Sequence, residues 1–523
     1  PLCTWNPPET MKPRAILVAL LALAVSAPAV SAQLTQPIDS ATMSFFAWRS
    51  IGPANMSGRV TDVEGIPGPS KTFYVATAAG GIWKTINNGT TLRPLFQNER
   101  LVAMGDIAIA PSDTLQIWAG TGEEDSRNSI SPGGGIYKST DGGLTWTLMG
   151  LEDTQAIGRI VVHPNDPDIV YVAALGHIWG SNPERGLFRT TDGGETWENV
   201  KFISDEAGFV DVAMHPEDPN TLFAASWERV RGPWFLRSGG PGSGLWKTTD
   251  GGDTWTEVVG NGFPEQMKGR IGLGISLSNP DYIYAMVEAE PTEDNATPSG
   301  RDRSTDGGAS WEQMNSTNTR PFYYSQVRVD PQDPDRVYYS STPVKFSDDG
   351  GRTEGDATQG IHVDHHAMWI DPTDPDRLVV GNDGGIGVSF DRGGSFIFPN
   401  SIAIGQFYAI GLGMDVPYTV CGGLQDNGTW CGPSRRAGGE INNHMWATIN
   451  GGDGFWAVID PRNADVVYAE SQGGNMARVD RSTGERMTIQ KPQWKEVWLA
   501  WEDSILAIRG DREMEPLTNA DRQ

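Results

Sequence analysis

Apolar residues along this chain fall in short runs separated by segments rich in Gly, Pro and Asp. Ile169-Val170-Tyr171-Val172-Ala173 and Val466-Val467-Tyr468-Ala469 are two such runs. Runs of this length bounded by turn residues predict β-strands. The turns repeat as well. Ser139-Thr140-Asp141-Gly142-Gly143-Leu144-Thr145-Trp146 recurs at 190–197, 248–255 and 304–311, with degenerate copies at 85–92, 347–354 and 389–396. The Asp carboxylate suits backbone N–H groups inside a turn, Gly supplies a positive φ, and the Thr and Trp open the next strand. The motif therefore predicts a hairpin, with a structural role for Asp141, Asp192, Asp250 and Asp306.

The key Asp, or Asn87 in its place, recurs at 87, 141, 192, 250, 306, 349 and 391. Steps of 40–50 residues with four short strands each mark propeller blades. A Pro/Asp turn runs in phase: His163-Pro164-Asn165-Asp166-Pro167-Asp168 returns at 215–220, 330–335 and 371–376. The expected fold is all-β, a seven-bladed β-propeller over 45–400. The first blades of a second propeller follow over 401–490. From 491 to 523 the pattern changes: Trp494, Trp498, Trp501, Ile505 and Ile508 form a helical stripe before a polar tail. Two blades cannot close a ring, so the second propeller is expected to be cut short.

Charge and leader narrow the setting. The 523 residues carry a net charge of −26, which argues against nucleic acid and anionic membrane surfaces as partners. Residues 1–10 precede Met11 and read as upstream of the protein. Residues 11–32 have the form of a secretory signal: Lys12 and Arg14, an apolar core, then Val30-Ser31-Ala32. The apolar run is too short to span a membrane, and no Cys follows the cleavage site to take a lipid anchor. A periplasmic or secreted protein is expected, and in that setting Cys421 and Cys431 predict a cross-strand disulfide.

Strand alternation puts the long second-to-third loops (121–135, 175–186, 226–244 and 288–300) on one face, where function tends to reside. Three groups of residues stand out. Arg59, Asp106, Arg159 and Asp211 each open an innermost strand around the channel, with Arg270 and Arg320 near the equivalent later places. They read as inter-blade ion pairs or as the floor of a ligand site. His362, Asp364 and His366 would share one side of a strand, a weak metal set set against plain hydrogen bonding in the last blade. Trp227, Arg229, Arg231, Trp234, Phe235 and Arg237, beside His177, Trp179, Glu184 and Arg185, suit sugar stacking or peptide capture, or else a loop packed on itself. Glu123, Glu124 and Asp125 add carboxylates to the same face.

The tandem turn motifs, Gly80-Gly81-Ile82-Trp83-Lys84-Thr85, and the stretches 362–371 and 381–385 resemble the secreted bacterial BNR or Asp-box propellers. These are sortilin N-terminal-like proteins of the sialidase and xyloglucanase superfamily, often labelled glycosyl hydrolases. The sialidase Phe-Arg-Ile-Pro motif is absent, and so is the Cys-rich module of sortilin-type receptors. By resemblance to two-propeller xyloglucanases, a catalytic base would precede Gly80-Gly81, where Ala78 and Ala79 stand. Their acid lies in the second propeller, with Asp426 its nearest candidate here. The reading that follows is recognition of a glycan or polypeptide through the long-loop face, with no cofactor, nucleic acid or membrane anchor; oligomeric state is not defined by these features. The alternative is a glycoside hydrolase acting on β-linked polysaccharide between two propellers.

Overall fold

The computed structural model describes residues 40–489, except 45, 47, 48, 53, 127–129, 294 and 295. The predicted signal segment and the helical stripe beyond 490 lie outside the described residues. The chain divides after Ser50. The described part of the first unit contains a single helical turn, Ser40–Met43. Everything below concerns the second unit.

That unit is all-β. Among the described residues, nine antiparallel sheets follow one another along the chain, most of them four strands in sequence order. The first is Val60–Gly65, Phe73–Thr77, Gly81–Thr85 and Arg93–Pro94. Its successors begin at the innermost strands Met104–Ala110, Ile157–Val162, Ala207–Met214, Lys268–Ile275, Val327–Val329 and His365–Ile370, then Phe407–Leu412 and Ala457–Asp460. The seventh sheet has three strands, extended by a Val388–Ile397 bridge. These sheets have the propeller arrangement. Each seam between consecutive sheets, from first to seventh, is filled by one apolar cluster. A further cluster joins Val60, Val63, Phe73 and Val75 of the first sheet to Trp369, Val379 and Val388 of the seventh. Sheets with one buried face each can bury both only by stacking in this way.

The turn motif does what its residues predict. Ser139 Oγ donates to Asp141 Oδ1 (2.9 Å) and accepts the Gly143 N–H (2.8 Å). Asp141 accepts the Thr145 N–H and hydroxyl at 2.9 and 2.6 Å. Gly143 sits at φ 89°, in the left-handed region. The degenerate copies keep the geometry: Asp349 accepts the Thr353 N–H at 2.8 Å and Asp391 that of Ser395 at 2.8 Å. The motif's Trp then packs into the seam with the preceding sheet. Trp146 meets Phe96 edge-on at 5.2 Å, and Trp197 meets Trp118 at 6.1 Å.

The predicted loop 226–244 is instead a hairpin. Strand Leu222–Gly232 runs on past the sheet and pairs with Phe235–Ser238, leaving Trp234 at the tip. Trp227, Val230 and Phe235 are strand-favouring residues that continue the pairing on either side of the Pro233-Trp234 tip. In the eighth sheet Cys421 and Cys431 stand directly opposite one another and are joined by a disulfide. Residues 51–56 bind this sheet: Trp446 Nε1 donates to Ile51 O (3.1 Å), and Met56 packs with Leu424, Ile441 and Trp446. No helix among the described residues is long and apolar enough to cross a membrane.

Candidate functional site

The innermost strands of six of the first seven sheets share one irregularity near their start, and that of the eighth has it too, between Phe407 and Ala409. Pairing skips between Val60 and Asp62, Met104 and Asp106, Ile157 and Arg159, Phe209 and Asp211, Lys268 and Ile271, and His365 and Ala367. A bulge of this kind re-aims the side chains around it. It also marks where neighbouring strands touch. A Cβ on Gly105 would lie 2.0 Å from the Ile157 carbonyl oxygen, so only Gly fits there. The bulges split the charged residues of the channel into two layers.

The inner layer follows the bulge. Arg159 Nη1 lies 2.8 Å from Asp106 and 3.9 Å from Asp62, and its Nε lies 3.2 Å from Asp211. Each Asp also accepts a backbone N–H from a neighbouring sheet: Ile107 to Asp62, Ile160 to Asp106 and Leu273 to Asp211. Arg59 does not belong to this set. It precedes the bulge, and Asp62 takes the first sheet's place. The expected Arg, Asp, Arg, Asp ring is thus a single Arg among three carboxylates.

The outer layer is at the loop-bearing mouth, and all of it is buried. Arg59 Nε lies 2.6 Å from Glu123 Oε1, and its Nη1 donates to the Tyr323 hydroxyl at 2.7 Å. Arg270, a bulge residue, pairs with Glu124 (2.6 Å) and Asp125 (2.8 Å). His366, the bulge residue of the seventh sheet, lies between Asp125 and Asp383, with each ring nitrogen 3.1 Å from a carboxylate oxygen. Burial works against a charged ring here, yet the two carboxylates raise His366 to about 9. Burial likewise works against Asp125, but His366 and Arg270 hold it below the usual carboxylate range. Burial pushes Glu124 up to about 7 against the pull of Arg270.

The aromatic and basic group divides. Trp227 and Arg229 are buried rather than displayed, and Arg229 Nη1 donates to Glu124 O at 2.7 Å. Burial lowers Arg229 to about 9. Trp234 is 91% and Trp179 51% exposed. Arg231 N–H donates to Ile178 O (3.0 Å), fastening the hairpin to the 175–186 loop, and His177 Nε2 lies 2.9 Å from Asp153 O. A cavity of about 170 Å³ brings Glu123, Trp179 and Arg229 together.

The His362, Asp364 and His366 set does not share one side. The strand begins only at His365, and Asp364 sits at φ 63°, so alternation does not reach back to His362. Among the described residues no group of three His, Cys, Asp or Glu is placed to hold a metal ion. The stretch instead meets the eighth sheet. His362 Nε2 lies 3.4 Å from Asp426 O, and Asn427 Nδ2 donates to Asp383 O at 2.9 Å. The Asp426 N–H donates to Asp453 Oδ1 at 2.6 Å. Asp364 accepts the Tyr324 hydroxyl. Asp364, Asp426 and Asp453 are all half-buried at this junction. Tyr323, Tyr324, Asp453 and Gln406, whose Oε1 accepts from Arg59 Nη2 at 2.9 Å, carry no motif that sequence reading could use. Asp62 was reachable had the bulge been anticipated.

Comparison with known proteins now bears on this geometry. A family model described as Sortilin-Vps10, "Sortilin, neurotensin receptor 3", matches residues 134–268. A probable oligoxyloglucan-reducing end-specific xyloglucanase of Neosartorya fischeri is 22% identical over 353 residues, 58% of this chain and 40% of that protein. Xyloglucanase Xgh74A of Acetivibrio thermocellus is 24% identical over 386 residues, 66% of this chain and 42% of that protein. Among solved structures, an ancestral GH74 enzyme superposes with a TM-score of 0.59 at 16% identity, covering 86% of this chain and 64% of that one. The GH74 xyloglucanase of Xanthomonas campestris gives 0.55 at 15% identity, covering 85% and 75%. Fold and turn motif together define an Asp-box β-propeller, similar to the sortilin-type family model and to xyloglucanases. The chain spans less than half the length of these curated relatives.

Proposed function

We propose that this chain is the propeller portion of a secreted glycoside hydrolase acting on a β-linked polysaccharide, xyloglucan being the first substrate to try. In this reading the first seven sheets form a closed seven-bladed propeller, and the eighth and ninth open a second one. Substrate lies across the junction of the seventh and eighth sheets. The observation that carries the proposal is the meeting of the Asp364 and Asp426 turns at one corner, each with a half-buried carboxylate. Glycoside hydrolysis needs two carboxylates flanking the scissile bond, one protonating the leaving oxygen and the other acting as base or nucleophile.

Asp426 is assigned as general acid and Asp364 as its base or nucleophile partner. The Tyr324 hydroxyl donates to Asp364 and orients its carboxyl group. Buried Ala78 and exposed Ala79 precede Gly80-Gly81, so this chain's partner carboxylate has to come from elsewhere, and the 362–364 turn supplies it. The relatives are xyloglucanases, which favours hydrolysis over recognition alone. A glycan- or peptide-binding role of the loop-bearing face is the second reading, favoured by exposed Trp179 and Trp234. Reducing-end release from a panel of plant and bacterial polysaccharides tests the first. Release that disappears in Asp426→Asn supports it; a folded protein that releases nothing from any of them returns the function to binding.

A further inference from the structure

The channel mouth opposite the Glu123–Asp125 cluster opens into a funnel of about 540 Å³. Its rim is formed by the turns that follow the innermost strands, among them Pro164 and Pro216, and its wall is apolar, with Leu273, Val329 and Trp369. Asp62, Glu64, Arg159, Asp211 and Arg328 also line it. A concave apolar wall over a few charged groups is the usual form of a small-molecule site.

Most of these charges are already engaged. Asp62, Asp106 and Asp211 hold backbone N–H groups and surround Arg159. Arg328 donates to the carbonyls of Met368 (3.1 Å) and Val327 (3.0 Å). His215, on the wall, accepts the N–H groups of Glu217 and Asp218. Glu64 is different. It lines the funnel half-buried, and among the described residues its side chain has no hydrogen-bond or ion-pair partner. Burial and neighbouring Asp62 push its carboxyl up to about 8, against the pull of Arg159 and Arg328. Arg159 is taken up by its three aspartates and Arg328 donates to two carbonyls, so neither guanidinium is an ion-pair partner of Glu64. A cation entering beside Glu64 favours its ionised form and pairs with it, and an apolar body attached to that cation covers the wall.

We propose that this funnel binds a small organic cation, an ammonium group on an apolar body, with Glu64 as its counter-ion. The site is separate from the Asp364–Asp426 junction and does not depend on the hydrolase reading. Calorimetric titration with leucinamide and N-acetylleucinamide tests it, since the pair differ in the ammonium group. The wild-type protein is expected to bind leucinamide at least tenfold more tightly than its neutral analogue, and Glu64→Gln to lose about tenfold in affinity (~1.4 kcal/mol). Asp426→Asn should bind like wild type. Equal affinity for the two compounds, no heat with leucinamide up to about 20 mM (a Kd far weaker than any useful site), or unchanged binding in folded Glu64→Gln overturns the proposal. If Glu64→Gln does not fold, the two compounds on wild-type protein decide it.

Discussion

Nδ1 of His366 lies 3.1 Å from Oδ2 of Asp125, which ties the seventh sheet to the loop of the second across the mouth of the channel. Asp383 completes the contact from the other side of the ring. A buried imidazolium between two carboxylates is stable only while both partners remain, because each charge alone carries an uncompensated desolvation cost. His366→Ala is therefore expected to destabilise the protein by about 3–5 kcal/mol in denaturant unfolding.

The same pair sets a pH dependence. The folded-state value of His366 is raised from 6.5 to about 9. Its contribution is fully present below about pH 6.5 and is lost as pH rises through about 9. Asp125 is held below 3.8, so its share is present above that value and is lost only in stronger acid. Unfolding measured from pH 6 to 10 should show an alkaline loss of stability in the wild type that is much reduced in His366→Gln. An identical alkaline slope in both proteins would show that His366 is not charged in the folded state.

Asp302 offers the opposite case. It is fully buried in the fifth sheet, neither carboxylate oxygen has a hydrogen-bond partner, and burial raises it from 3.8 to about 7. Such a group favours the folded state least when ionised: stability is retained below about pH 4 and declines as pH rises towards 7. Asp302→Asn should stabilise the protein at pH 8 by on the order of 2–4 kcal/mol, and have little effect at pH 4. Chemical denaturation at the two pH values checks both halves of the expectation.

The Asp-box carboxylates titrate lower. Hydrogen bonds from the hydroxyl and N–H of the Thr four residues on hold Asp141 and Asp192 down to about 2. Their contribution is present above about pH 4 and disappears as pH falls through about 2. Asp192→Ala should lower the denaturation midpoint at pH 7, and the gap between variant and wild type should close in acid. The Cys421–Cys431 bond closes a loop of sequence separation 10. Its removal by double Ser substitution is expected to cost about 2–3 kcal/mol on the loop-entropy account.

The propeller was legible because its signals are local. Ser139, Asp141 and Gly143 bond to one another within four residues, so spacing alone reveals the turn. The charged layers are not local. Arg59 reaches Tyr323 across 264 positions and Arg270 reaches Glu124 across 146. Which residues share a layer depends on the bulges, and a bulge shifts the alternation by one without marking the sequence. Simple alternation therefore groups Arg59 with Asp106, whereas Asp62 is the counterpart of Asp106; His362 departs from His366 because the strand begins only at His365 and Asp364 has φ 63°. The place of Arg229 is open in the sequence for a related reason: strand Leu222–Gly232 runs on where a loop is expected, and the residue turns inward against Glu124.

The most direct test of the proposed function is the rate of reducing-end release from xyloglucan by the full chain, compared with Asp426→Asn and Asp364→Asn. Two carboxylates acting as acid and base predict a loss of about 10²–10⁴-fold in either variant, with circular dichroism and melting unchanged. Release that persists undiminished in both folded variants would contradict the assignment of the junction between the seventh and eighth sheets as the catalytic site.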